Sequence, residues 1–281
     1  MVCIARQMNY FRVKEVRMEC YNCGATLNRK TRSAEHILPN SIGGKRKAYN
    51  LLCKTCNEMF GRTIDNELAS KLAPIYSLLV SGEQPLKPNT SFLFKNDGTP
   101  IAYDRFLSSI KTNRAYSGNA GYFRSIAKIC LNYYLSKGYS RQYIEPIKTF
   151  INGGNTDHIV HYYVPANKPL HILAENEVSH ILHLHGSKES GILYAYIELF
   201  NMQNLVVVFS MDYDGKDIDV TYCRDLITNE EPSKKIVLSL TREQLEELGG
   251  LAAEMEARLK PPFERLLGII QNRPAFLGKL C

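Results

Sequence analysis

Short apolar runs separated by turn residues open the chain, and a helical pattern follows them. The apolar runs at residues 34–38 and 47–52 predict two strands of a hairpin, joined by a polar, glycine-containing loop at 39–46. From Lys54 onward apolar residues recur at helical spacing, and Pro74 should bend or end that helix. This pattern predicts a strand–loop–strand–helix unit in the N-terminal part of the chain.

A turn-rich linker and two helices are predicted in the middle of the chain. Residues 81–90 are rich in turn formers and predict a linker, and an Asn-Asp-Gly turn at 96–98 predicts a hairpin. Helical spacing returns over residues 121–152, where Gly138 should end a first helix before a second one at about 141–151.

Strand patterns dominate the part of the chain that follows, and short turn sequences separate them. The predicted strands are residues 158–164, 178–185, 192–200, 205–210 and 217–222. Closely spaced strands with short turns favour an antiparallel sheet. Together with the helices, they predict an α+β fold, with an N-terminal domain at residues 1–80 and a larger α+β domain at 81–281 that contains the sheet.

The C-terminal part returns to a helical pattern. A capping box that begins at Thr241 should open a helix that runs to about Leu259. Pro261 and Pro262 should break that helix, because proline lacks the backbone N–H of a helical hydrogen bond, and a shorter helix to about Gln271 should follow.

The formal net charge of +7 is concentrated near the N-terminus. Residues 1–66 contain 12 Lys and Arg against 5 Asp and Glu, whereas the remainder contains 23 of each. Such clustering suits a nucleic-acid partner, because phosphate contacts release counterions, although a solvated basic face is an equally good explanation. No apolar stretch is long enough to span a bilayer, and residues 1–10 lack the apolar region of a secretory signal. A cytoplasmic protein without a membrane partner is therefore expected.

Eight cysteines are present, and four of them form two Cys-x-x-Cys pairs, Cys20 with Cys23 and Cys53 with Cys56. Without a secretion signal, this spacing favours zinc over disulfides. Two such pairs can close a tetrahedral shell of four thiolates, which leaves no open coordination position. We therefore predict a structural zinc ion that stabilises the N-terminal domain, with a redox dithiol pair as the alternative.

The insert between the two cysteine pairs carries the residues with the clearest chemistry. It contains "EHILPNSIGG" and leads into "YNLLCKTCN", so that an acidic residue, a histidine, a Gly-Gly loop and two asparagines accompany the pairs. In these features residues 18–68 resemble the HNH endonuclease family, which has the ββα-metal fold. The resemblance covers under a quarter of the chain, and it implies a metal-dependent endonuclease that hydrolyses phosphodiester bonds in DNA.

The resemblance implies a role for each of four residues. His36 matches the general base that activates the attacking water, and Glu35 matches the acidic residue that binds the catalytic cation. Asn57 matches the second ligand of that cation, and Asn50 matches the asparagine that braces the loop. Oxygen ligands of this kind favour Mg²⁺ or Mn²⁺ over softer ions, and an imidazole with a pKa near neutrality can accept the proton of a water molecule.

Two residues depart from the commonest family pattern. The usual acidic residue is Asp, and Glu35 is one methylene longer; the last position is often His, where this chain has Asn57. Adjacent residues on a strand also point to opposite faces, so Glu35 and His36 serve one site only if the strand ends or distorts there.

Four basic side chains near the insert are candidates for contacts with a nucleic-acid backbone. Lys45, Arg46 and Lys47 follow the Gly-Gly loop, and Arg62 lies about one and a half helical turns beyond Asn57. A solvated run of charge is the alternative for the three loop residues.

The second region indicates less about its role. His180, His183 and His185 share a predicted strand without acidic residues or cysteines in register, which favours polar residues of a sheet over a second metal site. A large domain fused to a compact nuclease suggests target selection, homodimer formation or sensing of a signal, as in a bacterial, phage-related or restriction-like defence nuclease. Two other functions remain open: an RNA-cleaving HNH nuclease, and a zinc protein that binds nucleic acid without cleavage.

Overall fold

The computed structural model describes residues 18–80, 119–154, 159–163, 170–248 and 252–272, and within the last range the side chains of 261–270 and 272. The predicted linker and the hairpin at 96–98 lie outside these residues. The described chain contains helices and two antiparallel sheets, which confirms the predicted α+β fold. Among the described helices, none is long and apolar enough to cross a membrane.

The N-terminal part is a small hairpin followed by two helices. Its elements are β1 (Glu35–His36), β2 (Lys47–Ala48), α1 (Lys54–Arg62) and α2 (Ile64–Val80). The strands pair antiparallel, with Glu35 opposite Ala48 and His36 opposite Lys47. Both predicted strands are present but shorter than their apolar runs. Helix α2 continues through Pro74, so that residue does not end it.

A central helix, α3 (Ala120–Ser136), connects the two parts of the fold. Asn119 caps its N-terminus by accepting a 2.8 Å hydrogen bond from the backbone N–H of Tyr122. Gly138 follows its end with a φ of 78°, as predicted for a helix stop. Every side chain from 125 to 135 is buried, because α3 lies between α2 and the larger sheet.

The second predicted helix of this region is divided in two. Residues Arg141–Tyr143 form a 3-10 turn, and helix α4 (Glu145–Ile151) follows it. Pro146 lies in the first turn of α4, where a residue without a backbone N–H removes no helical hydrogen bond. The proline therefore decides where the α-helix begins.

The larger sheet contains all five predicted strands. They are β3 (Val160–Tyr162), β4 (Ser179–Ser187), β5 (Ile192–Leu199), β6 (Gln203–Ser210) and β7 (Ile218–Asp225). Their order is β3-β6-β5-β4-β7, and every neighbouring pair is antiparallel, which confirms the predicted sheet.

Both faces of this sheet are covered. One face belongs to an apolar cluster that also contains α3 and the buried side chains of α1, α2 and the hairpin, such as Ile37, Phe60 and Leu72. The opposite face packs against residues of the C-terminal segment, among them Ile236 and Leu240. Because the hairpin and the sheet share one apolar cluster, packing against the second region sets the position of the hairpin.

The C-terminal helices differ from the prediction. The capping box at Thr241 is present, but the helix that it opens, α5, is only Arg242–Glu246. The prediction that Pro261 and Pro262 break a helix is wrong, because both lie inside α6 (Ala252–Gln271). Among the described side chains of this helix, the buried ones are Phe263, Leu266 and Ile270, which recur at helical spacing, and their burial offsets the lost hydrogen bonds.

Candidate functional site

The four paired cysteines form a compact cluster. Cys20 and Cys23 lie on the turn before the hairpin, Cys53 is the N-cap of α1, and Cys56 lies in its first turn. All four sulfur atoms lie within 4.8 Å of one another. The Cys23 and Cys53 sulfurs are 3.7 Å apart, close to the tetrahedral edge of about 3.8 Å that Zn–S bonds of about 2.3 Å require.

Two hydrogen bonds support the cysteine cluster. The Asn22 side-chain amide donates to Cys56 Sγ, and the Cys56 backbone N–H donates to Cys53 Sγ, each at 3.5 Å. Donors of this kind stabilise thiolates, which are the form that binds zinc. The cluster is therefore compatible with the predicted structural zinc ion, and its four sulfurs leave no ligand position for substrate.

The loop between the hairpin strands is held close to its own backbone. A 3-10 turn at Asn40–Ile42 precedes Gly43, whose φ is 93°. A Cβ atom on Gly44 would lie 1.8 Å from the carbonyl oxygen of Leu38, so only glycine fits there. The Gly-Gly pair thus lets the loop fold back directly after the candidate catalytic strand.

Glu35 is buried and its carboxylate is hydrogen-bonded by α3. Its exposed fraction is 4%. Lys128 Nζ lies 2.7 Å from Glu35 Oε1, and Asn132 Nδ2 donates to the same oxygen at 2.9 Å. Burial raises the pKa of Glu35 above its usual value, and the ion pair with Lys128 opposes that rise.

Lys128 also binds a second carboxylate. Its Nζ lies 2.6 Å from Asp65 Oδ2, at the start of α2. Burial lowers the pKa of Lys128, but Asp65 and Glu35 outweigh it and raise that pKa above its ordinary value. The lysine is therefore charged, and its buried ammonium group connects α3 to the hairpin and to α2.

His36 is half-buried on β1, and its ring has no hydrogen-bond partner among the residues described. Burial lowers its pKa, and the positive charges of Lys47, Lys45 and Lys128 lower it further. The imidazole is consequently neutral at neutral pH, which is the form that can accept a proton.

The remaining predicted site residues lie around the hairpin. Asn57 is half-buried on α1, one residue after Cys56, with its backbone N–H bonded to the carbonyl of Cys53 at 3.0 Å. Asn50 is exposed on the bend between β2 and Cys53, and Arg62 is exposed at the end of α1. Their proposed roles stay predictions.

The three basic loop residues have different surroundings. Arg46 forms a 2.8 Å ion pair with Glu231, and its guanidinium lies 4.6 Å from the centre of the Tyr222 ring. Lys45 and Lys47 are exposed, and Lys45 Nζ is 3.4 Å from Asn40 Oδ1. Arg46 thus contacts the second region, which leaves Lys45 and Lys47 better placed for phosphate contacts.

A buried histidine from the sheet holds the Gly-Gly loop. The Phe200 backbone N–H donates to Nδ1 of His180 at 3.1 Å, so Nε2 must carry the ring proton. Nε2 then donates to the carbonyl of Ile42 at 2.8 Å. Burial lowers the pKa of His180 to about 4. The neutral tautomer of this histidine is therefore part of the folded structure.

We expect the free energy of unfolding to fall as the pH drops from about 6.5 towards 4. In this window the unfolded chain protonates His180 and the folded protein does not, so folding loses stability, by about 3 kcal/mol at most from His180. Urea unfolding at pH 7 and pH 5 measures the decline, and His180→Asn, which does not titrate, should show a smaller one. An equal decline in both proteins would contradict this assignment.

Sequence patterns missed the residues of α3 that contact Glu35. Lys128 is the only charged residue between Arg124 and Lys137, in a helix segment that is otherwise largely apolar. A lone charge on the buried face of a helix requires a carboxylate partner, so the pattern could have indicated a buried ion pair. It could not have identified Glu35 as that partner.

Comparison with known proteins assigns the N-terminal segment. Residues 20–73 match a family model described as HNH endonuclease. The match contains the four-cysteine cluster, Glu35, His36 and Asn57, and it ends before Lys128 and Asn132. No curated protein and no solved structure matches the chain. The fold thus comprises an N-terminal HNH domain with a cysteine cluster, followed by a larger region with a five-stranded sheet.

Proposed function

We propose that this protein is a metal-dependent HNH endonuclease that hydrolyses phosphodiester bonds in DNA. The observation that carries the proposal is the hairpin inside the HNH segment, where the half-buried, neutral imidazole of His36 follows the buried carboxylate of Glu35. Hydrolysis of a phosphodiester requires a base for the attacking water and a cation near the phosphate, and these two residue types can serve both needs.

The donor set suits a hard divalent cation. Both hydrogen bonds to Glu35 go to Oε1, and none from a described residue reaches Oε2. Carboxylate and amide oxygens are the ligands that Mg²⁺ and Mn²⁺ prefer, and Glu35 Oε2 and the Asn57 side chain would provide them. Such an ion, when bound, neutralises charge on the phosphate and stabilises the leaving oxygen.

In the proposed mechanism, His36 accepts a proton from the attacking water at its imidazole nitrogen. The positive charges that lower its pKa keep the ring ready to accept that proton at neutral pH. Lys45, Lys47 and Arg62 hold the flanking phosphates, since all three are exposed around the hairpin and α1.

Cleavage and its cation dependence can be tested together. Supercoiled plasmid and single-stranded RNA are incubated with the purified protein in Mg²⁺ or Mn²⁺, with and without EDTA. We expect nicked or linear plasmid that is lost with EDTA, because the phosphate needs a cation. EDTA can also remove structural zinc. Addition of excess Mg²⁺ alone must therefore restore cleavage if loss of the catalytic cation is the cause. Cleavage of RNA but not plasmid would favour an RNA nuclease, and binding without cleavage in any cation would favour a nucleic-acid-binding protein.

The role of the second region is also a proposal. Its sheet shares an apolar cluster with the hairpin, and Glu231 and His180 contact the loop that carries the basic residues. A region so placed suits target selection, signal sensing or homodimer formation in a cytoplasmic, restriction-like defence nuclease. Analytical ultracentrifugation with and without DNA measures the molecular mass in solution and so tests for a homodimer.

A further inference from the structure

Helix α3 reaches the candidate catalytic carboxylate from far along the chain. Lys128 and Asn132 lie 93 and 97 residues beyond Glu35, outside the segment that matches HNH endonucleases. The two residues are one helical turn apart, so their side chains share one face of α3. Lys128 is 3% exposed and Asn132 is 1% exposed. Neither side chain is accessible to a nucleic acid.

Both donors bind the same oxygen of Glu35. With Lys128 Nζ and Asn132 Nδ2 at Oε1, the plane of the carboxylate is restricted from two directions. Nζ also binds Asp65 Oδ2 at 2.6 Å, so the position of the lysine is fixed by a second carboxylate as well as by Glu35. Lys128 Nζ also lies 5.6 Å from the centre of the Phe60 ring on α1.

We propose that Lys128 and Asn132 are positioning residues of the nuclease: by holding Glu35 Oε1, they direct Oε2 towards the catalytic cation. This inference rests on the function proposed above. Carboxylates that bind metals are themselves oriented by hydrogen-bond partners, and loss of such partners typically reduces metal affinity or activity about 10–100-fold. The active site of this protein is accordingly completed by its second region, and the HNH segment alone lacks the donors that orient its acidic residue.

The test uses the full-length, zinc-loaded protein and four single variants. Asn132→Ala removes one donor and keeps the ion pair, so it is the variant that should fold without difficulty. Lys128→Met removes the other donor. Lys148→Met and Asn66→Ala are matched controls, since Lys148 forms only a surface ion pair on α4 and Asn66 is exposed on α2. Zinc content and thermal melting verify folding of each variant.

Two readouts separate positioning from a general loss of structure. The first is the dissociation constant for Mn²⁺ without nucleic acid, measured by electron paramagnetic resonance. We expect Asn132→Ala and Lys128→Met to weaken Mn²⁺ binding by about 10-fold or more, while the controls match the wild type. The second is plasmid cleavage, where kcat should fall and KM should stay constant, because neither residue reaches the substrate.

A double-mutant cycle with Glu35→Gln gives the sharpest result. If Asn132 acts only through Glu35, Asn132→Ala should weaken Mn²⁺ binding in the wild type and have no further effect beside Glu35→Gln. Additive effects would overturn the proposal. So would unchanged Mn²⁺ affinity in both α3 variants, or tighter Mn²⁺ binding in Lys128→Met, which would place the lysine ammonium where the cation binds.

Failure of the proposed function gives a different pattern. If Asn132→Ala and Glu35→Gln are coupled in Mn²⁺ binding but the protein cleaves no nucleic acid, the positioning of Glu35 is supported and the endonuclease function is wrong. If the protein cleaves nucleic acid with the same kcat in all α3 variants, the endonuclease function is supported and the positioning role is wrong.

Discussion

Replacement of Cys53 by serine is expected to remove zinc from the protein and to unfold the HNH segment. Structural zinc contributes on the order of 10 kcal/mol in small domains, which is comparable with the whole stability of about 5–15 kcal/mol of a typical domain. Among the described residues before α1, regular secondary structure is limited to two strands of two residues each, β1 and β2, and the 3-10 turn at Asn40–Ile42, so the cysteine cluster connects this part of the chain.

Hydrogen–deuterium exchange with mass spectrometry, together with zinc analysis, measures this effect. In Cys53→Ser we expect amide protection to be lost across residues 18–62, whereas the central strands β4 and β5 keep theirs. Cys223→Ser is the matched control, because this thiol is also buried but lies in β7, outside the cluster. Wild-type zinc content and protection in Cys53→Ser would show that the four cysteines do not hold a structural ion.

The substitution His36→Ala is expected to reduce the rate of phosphodiester cleavage by about 100- to 10,000-fold, the usual contribution of a general base. The site would still bind nucleic acid, because its basic side chains are untouched. Single-turnover cleavage of plasmid measures the rate, and fluorescence anisotropy without divalent cation measures binding. His185→Gln is the control, since His185 lies in β4, where its ring contacts the Tyr194 ring with 5.1 Å between the centroids.

The pH dependence of the cleavage rate also reports on His36. Burial and the neighbouring lysines hold the pKa of His36 below its ordinary value of 6.5, so the base is free at pH 7. The rate of the wild type should therefore stay level from pH 8 to about 6.5 and fall only below that value. An equal rate in wild type and His36→Ala, or a rate that already declines between pH 8 and pH 7, would contradict the role of His36.

Local patterns were sufficient for most of the secondary structure. Five strands, α1 and α3 follow from period and turn residues, because these depend on a few neighbours along the chain. The C-terminal helices did not follow, since Pro261 and Pro262 lie in a helix that packing of Phe263 and Leu266 maintains. Propensity is a weak term, and tertiary burial outweighs it there.

The cysteine cluster and the order of the HNH residues could also be predicted from the sequence. Metal ligation requires particular atoms at a particular spacing, and two Cys-x-x-Cys pairs meet that requirement whatever the rest of the chain does. The family match to residues 20–73 confirms the assignment of this segment. The roles of Glu35, His36 and Asn57 stay predictions.

The sequence by itself determined most of the helices and strands, the antiparallel sheet and the zinc-compatible cluster. It also determined that an acidic residue and a histidine lie between the two Cys-x-x-Cys pairs. Only the tertiary structure decided which groups surround that pair: Lys128 and Asn132 at Glu35, Asp65 at Lys128, and His180 at the loop. The reason is physical. Secondary structure and Cys-x-x-Cys knuckles arise from residues that are neighbours in the chain, whereas a buried carboxylate takes its partner from whichever helix packs against it, here 93 residues away.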